Sequence, residues 1–305
     1  MTDVVTASIS PDVSGAVGRR QVLALAGIEA HRYARRLSIW VGWAATIAIA
    51  AFSHPDWSGG SYEQVIPVSF GGLALGTYVA AVRTGGRDVD AEAGPLAEDA
   101  PIDGDVRATA RLLGLAFPVA LALVTAIAIA VVTRVEGGFW LGEAPRRTDA
   151  AVHSLAELAQ PVLLVALAGA AGVVVGRILP RTLLGIVLGV FVWTALFPLC
   201  WMWNGDTLHP LAPVQTMPLR VPLPDVHHLT DAPEAWWVES PSIHHRQFHR
   251  QWAHQPTVLL HGVYLLGLLA LVSAPSLMSR RSVVASAGVA LVALGLAGQW
   301  MVSPL

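Results

Sequence analysis

Residues 117–132 read FPVALALVTAIAIAVV. The run carries no charged side chain, is far longer than a strand of a globular sheet, and is apolar on every side. A helix apolar all round belongs in lipid, where each backbone N–H and C=O must find its partner within the segment itself. A hydrocarbon core of ~30 Å takes ~20 helical residues. Seven stretches lack charge for long enough to qualify, at about 37–53, 65–82, 112–133, 158–176, 182–204, 257–277 and 283–301. The expected fold class is therefore an all-α integral membrane protein.

Composition leads to the same class. Of 305 residues, 54% are hydrophobic and only 13% charged, and the mean hydropathy is +0.57. An ordinary soluble domain is about 25% charged, so this chain cannot clothe its own surface in polar groups. All 19 basic residues are arginine. Without a lysine there is no Walker A phosphate loop, so the chain does not bind ATP in that way. A net charge of −2 gives no argument for nucleic acid. The single cysteine, Cys200, excludes internal disulfides and cysteine-based zinc sites.

Arginines set the expected orientation. Thirteen fall on the side of the N-terminal arm, loop 83–111 and the turns at 177–181 and 280–281, and six on the other. The positive-inside rule then places the N-terminus of this multi-pass chain in the cytoplasm. Trp57, Trp140, Trp201, Trp203, Trp252 and Trp300 fall near the outer helix ends, as an aromatic belt does. No secretory signal is seen, since Asp3 and Asp12 precede any apolar run. Residues 1–17 are expected to be a disordered tail, and residues 18–36 an amphipathic helix at the inner interface.

Two segments outside the membrane invite a functional reading. Loop 83–111 sets Asp88, Asp90, Glu92, Glu98, Asp99, Asp103 and Asp105 between Arg83, Arg87, Arg107 and Arg111. It lacks the glycine and glutamate positions of an EF-hand, which leaves a docking surface for a cytoplasmic partner or a solvated acidic loop. The proline-rich outer segment 205–256 ends in the histidine-dense HHRQFHRQWAH and is expected to turn helical near Ile243. There His245 and His249 would stand one turn apart and could share a zinc or copper ion, but a stable site wants three or four ligands. No HExxH is present, and an amphipathic interfacial segment with exposed histidines is the reading preferred over a metal site. Gly72 with Gly76, Gly172 with Gly176, and Gly185 with Gly189 show small-xxx-small spacing, which serves packing within one chain or between two. Only His261 brings an ionisable group into a helix, which argues against an ion-coupled carrier.

Several stretches carry a resemblance. IEAHRYARRL (28–37) is a basic lead-in to the first helix, and RATARLLGLAFPVALAL (107–123) closes an arginine-bounded loop. AELAQPVLLVALAGAAGVVVGRILPR (156–181) makes a fourth helix with a tight turn, and HQPTVLLHGVYLLGLLALVSA (254–274) a sixth. In these the chain resembles the permease subunits of actinobacterial ABC transporters of the ABC-2, or type V exporter, superfamily, from about residue 20 to 280. It departs from them in a seventh helix expected after Arg281, because the superfamily core has six.

The resemblance implies a half-transporter that pairs with a second permease copy or a paralogue and with two separate ATPase subunits. Those subunits would hold ATP and magnesium, leaving this chain with no catalytic residue and no cofactor of its own. Arg32, Tyr33, Arg35 and Arg36 would belong to the elbow helix. Arg83, Arg87, Asp88, Asp90, Glu92, Glu98, Asp99, Arg107 and Arg111 would belong to the ATPase-coupling loop. Trp201, Trp203, Phe248 and Trp252 would be aromatics of an outer gate. The function implied is ATP-driven efflux of an amphiphilic, lipid-like or drug-like compound. The alternatives are a metal-handling membrane protein using the outer histidines, and a non-transporting accessory subunit of a membrane complex.

Overall fold

The computed structural model describes residues 11–53, 70–88, 104–141, 148–179, 181–202, 219–222, 249–252, 255–277 and 280–302. Nine α-helices appear among them: α1 Pro11–Ala34, α2 Leu37–Phe52, α3 Phe70–Gly85, α4 Gly104–Gly114, α5 Ala116–Val135, α6 Leu155–Ile178, α7 Thr182–Met202, α8 Gln255–Ser273 and α9 Arg281–Val302. Four helical segments are long and apolar enough to cross a membrane: Val106–Val135, which joins α4 to α5, then Leu155–Ile178, Gln255–Ser276 and Arg281–Val302. Two shorter apolar helices accompany them, Leu37–Phe52 and Thr182–Ala195. The molecule thus has the helical, membrane-protein character that its composition demands.

Local sequence fixes several helix ends. α5 stops in a Schellman turn in which Gly138 N–H donates to Thr133 O at 2.8 Å and Gly137 N–H to Arg134 O at 3.3 Å. Gly137 and Gly138 have φ of 94° and 85°, a region where a Cβ is costly. α6 opens in a capping box: Glu157 N–H donates to Ser154 Oγ at 3.3 Å, and Ser154 N–H donates to Glu157 Oε2 at 2.7 Å. Both devices lie at the end of the bundle away from most of the arginines.

Glycines let the helices close on one another. A Cβ on Gly172 would meet Tyr78 O at 2.5 Å and Ala81 Cβ at 2.7 Å, so α6 rests on α3 backbone to backbone. Gly72 and Gly76 do the same for α3 against α2, where they face Gly42 and Ser38. Gly185 and Gly189 lie under Val82 and the Tyr78 ring. All three small-residue pairs are therefore used inside the chain, and this packing decides a question that spacing left open. α9 is joined to α8 in the same manner, with Gly267 against Val292 and Gly295 against Tyr264.

Three expectations need correction. The helix containing Arg107 and Arg111 begins at Gly104, well before 112. Ala108, Ala110 and Arg111 are buried along it, so both arginines belong to a helix rather than a loop. α1 starts at Pro11, not near residue 18, and so takes in part of the stretch expected to be a disordered tail; proline suits the first helical position. The third concerns residue 249, which falls in one of two short antiparallel ribbons beside the helices. Phe139–Leu141 (β1) pairs antiparallel with Thr148–Ala151 (β2), and Leu219–Pro222 (β3) with His249–Trp252 (β4). His249 and Trp252 thus lie on a strand where a helical turn was expected, because the partner strand supplies ladder hydrogen bonds.

Candidate functional site

At the arginine-rich end, α1 turns Ala26, Glu29 and Tyr33 inward, positions three and four apart that share one helix face. α4 approaches closely enough that a Cβ on Gly114 would meet Glu29 Cβ at 2.7 Å. Glu29 is 8% exposed; its Oε1 accepts from Arg32 Nη1 at 2.6 Å and its Oε2 faces Arg87 Nη1 at 3.5 Å. Arg87 stands in a short 3₁₀ turn, Gly86–Asp88, that continues α3. One carboxylate therefore joins α1 to the end of α3.

Among the described residues the junction sets several arginines around one carboxylate. Burial lowers the Arg87 pKa; Glu29 opposes that shift, while the neighbouring Arg32, Arg36 and Arg111 add to it. Beside them the Tyr33 ring is 1% exposed. Burial pushes its hydroxyl well above the usual tyrosine range, with Thr84 pulling slightly the other way. Thr84 donates its own hydroxyl to Ala80 O at 3.0 Å, and no well-formed hydrogen bond reaches the Tyr33 oxygen.

Half-way along the bundle, α3, α6, α7 and α8 line a partly open cavity of about 400 Å³. Its walls include Leu75, Tyr78, Leu164, Val192, Trp193 and Tyr264, and no charged side chain lines it among the described residues. Tyr78 donates its hydroxyl to Gly185 O at 2.8 Å, which ties α3 to α7 and turns the ring to the cavity as an apolar wall. A space of this size, within the roughly 300–1,000 Å³ of small-molecule pockets, suits an uncharged, apolar group.

Beyond the cavity, toward the opposite end, a buried polar seam crosses α6, α8 and α9. Gln160 Nε2 donates to Val258 O at 3.2 Å, and His261 Nδ1 lies 3.0 Å from Gln299 Oε1. Glu157, 1% exposed, lies at the first turn of α6 in its capping box. Glu157 and His153 are therefore buried in this half of the bundle besides His261, the one ionisable group expected there. The capping role accounts for Glu157. His153 meets the edge of Phe139, ring centroids 5.4 Å apart, where β1 covers the start of α6.

The sequence-predicted residues divide unevenly between these places. Arg32, Tyr33, Arg36, Arg87 and Arg111 come together at the junction, while Arg35 and Arg83 are exposed. The chain at Asp88 ends the 3₁₀ turn; Asp90, Glu92, Glu98 and Asp99 lie outside the described residues. Trp201 falls in the last turn of α7 and Trp252 on β4; Trp203, Phe248 and His245 lie outside the described residues. Among the described residues no group of three His, Cys, Asp or Glu is placed to hold a metal ion. Sequence reasoning missed Glu29, whose signal was a lone carboxylate three residues before an arginine in a basic helix.

No protein-family model, no curated protein and no solved structure matches the chain.

Proposed function

We propose that this chain is the permease subunit of an ATP-binding cassette exporter, with the cavity as part of its substrate pathway. One observation carries the reading: α3 lines the cavity with Leu75 and Tyr78 and, about two turns beyond Tyr78, reaches the junction of Thr84 and Arg87 with α1. A push on the arginine-rich end is thereby delivered to the cavity wall through one rigid helix. Small shifts at a packed junction become discrete rearrangements of this kind because packed helices slide or rock as bodies.

In this reading α1 is the elbow helix on the cytoplasmic face, and Arg83, Arg87, Arg107 and Arg111 frame the contact with the ATPase subunit. α2, α3, α4–α5, α6, α7 and α8 form the six-helix core, and α9 is an addition packed on α8. A second permease and two ATPase subunits complete the transporter in the bacterial plasma membrane. The cavity's apolar walls favour a substrate with an uncharged, lipid-like or drug-like body. The absence of a lysine for a phosphate loop agrees with ATP hydrolysis residing on a separate subunit.

Affinity purification in mild detergent from the native host, with identification of co-purifying proteins and an ATP hydrolysis assay, tests this. A stoichiometric ATPase with vanadate-sensitive turnover is expected. A single-chain preparation without ATPase in more than one detergent overturns it. Ala171→Phe, which fills the cavity, should cut export while the ATPase still co-purifies.

A further inference from the structure

Among the described residues, Arg32, Arg36 and Arg87 share the junction with one carboxylate, Glu29. Arg32, Arg36 and Arg111 all lie near enough to Arg87 to act on its charge, and Glu29 is the acid that faces it. Glu29 is already engaged by Arg32 at 2.6 Å, and Arg36 makes no ion pair among the described residues. Arg36 also ends the α1–α2 corner, and immediately beyond it α2 exposes Leu37, Trp40 and Val41. Trp40 donates its indole N–H to Ala34 O at 2.7 Å, which pins the ring at the corner beside the arginines. The corner thus presents guanidinium groups directly next to an exposed apolar strip with an interfacial tryptophan. That is the order of an inner-leaflet lipid: phosphate at the surface, chains below it.

We propose that the α1–α2 corner binds an anionic phospholipid, its headgroup phosphate held by Arg36 with Arg32 and Arg87 and its acyl chains lying along Leu37, Trp40 and Val41. A guanidinium matches phosphate in bidentate geometry, and among the described side chains three arginines stand here with one carboxylate. The lipid would complete the electrostatics of the junction and hold α1 against the bilayer. This inference stands apart from the transport reading, since it needs only the corner at a membrane surface.

The test uses the full chain in nanodiscs and in detergent with phosphatidylglycerol or phosphatidylcholine, read by native mass spectrometry and thermal unfolding. Wild-type protein is expected to retain phosphatidylglycerol preferentially and to unfold at higher temperature with it. Arg36→Gln should weaken that retention about fivefold, the effect of one arginine near a lipid surface. Its unfolding in phosphatidylcholine alone should match wild type, which shows that the variant is folded. Arg280→Gln with Arg281→Gln, which changes the exposed arginines at the start of α9, should leave retention unchanged. Equal loss in both variants would reduce the effect to general surface charge and overturn the proposal. So would a wild-type protein with no preference for phosphatidylglycerol, or full displacement of the lipid by millimolar inorganic phosphate, which would make the ligand a free anion.

Discussion

Nδ1 of His261 lies 3.0 Å from Oε1 of Gln299, and both side chains are wholly buried between α8 and α9. The amide of Gln299 is oriented by its own Nε2, which donates to Gly295 O at 3.1 Å. Its oxygen can then only accept, so His261 carries its proton on Nδ1. α9 is held to the bundle by this hydrogen bond as well as by glycine packing.

Gln299→Leu is therefore expected to lower stability by about 1–2 kcal/mol, because the imidazole N–H loses its Gln299 acceptor in an apolar interior. His261→Leu with Gln299→Leu should cost less than the sum of the single changes. Unfolding of the four proteins in one detergent checks the coupling; strict additivity would mean the two side chains do not interact.

Gly172 and Gly262 make a paired test of backbone packing. A Cβ on Gly172 would meet Tyr78 O at 2.5 Å, whereas nothing lies within 4 Å of one on Gly262. Gly172→Ala should destabilise by about 2 kcal/mol or more as α6 is pushed off α3. Gly262→Ala should be neutral or stabilising by up to about 1 kcal/mol, the intrinsic helix preference for alanine. Equal melting temperatures for the two variants would refute the α3–α6 contact.

Tyr33 predicts an alkaline limit to stability. Burial raises its pKa in the folded protein above the ordinary value of about 10. Above that value the unfolded chain loses the phenolic proton first, so stability is complete below pH 10 and declines as pH rises further. Tyr33→Phe should flatten that decline by up to about 1.4 kcal/mol per pH unit. Chemical unfolding between pH 9 and 11.5 shows the difference, and parallel curves would exclude a buried, protonated Tyr33.

Glu29→Gln should loosen the arginine-rich end. Arg32 and Arg87 lose their shared carboxylate, and Arg87 remains beside Arg32, Arg36 and Arg111. Both paired arginines are partly exposed, so the expected loss is modest, about 1–2 kcal/mol. Adding Arg87→Gln should restore part of it by removing a like charge. Thermal unfolding of the single and double variants decides; a double variant weaker than Glu29→Gln would contradict the like-charge account.

Much of the architecture was legible in the chain. An apolar run such as 117–132 has one physical solution, a helix that satisfies its own backbone, and Ser154 with Glu157 announces where α6 begins. The glycine spacings marked close helix contacts but not their partners, because spacing describes one helix and a contact needs two. Tertiary packing assigned them: Gly172 to Tyr78 and Ala81, Gly76 to Ser38 and Gly42. Likewise the arginines of 83–111 read as a loop until the Gly104–Gly114 helix, packed on α1, supplied a face for them. His249 read as helical until Leu219–Pro222 offered a strand to pair with. Hydropathy and charge alone determined that this is a multi-helical membrane-type chain with a basic end. Only the packed structure decided that Glu29 would meet Arg87, His261 would meet Gln299, and four helices would leave a cavity between them. Each of these joins residues from different helices, and no local pattern encodes where a helix will find its neighbour.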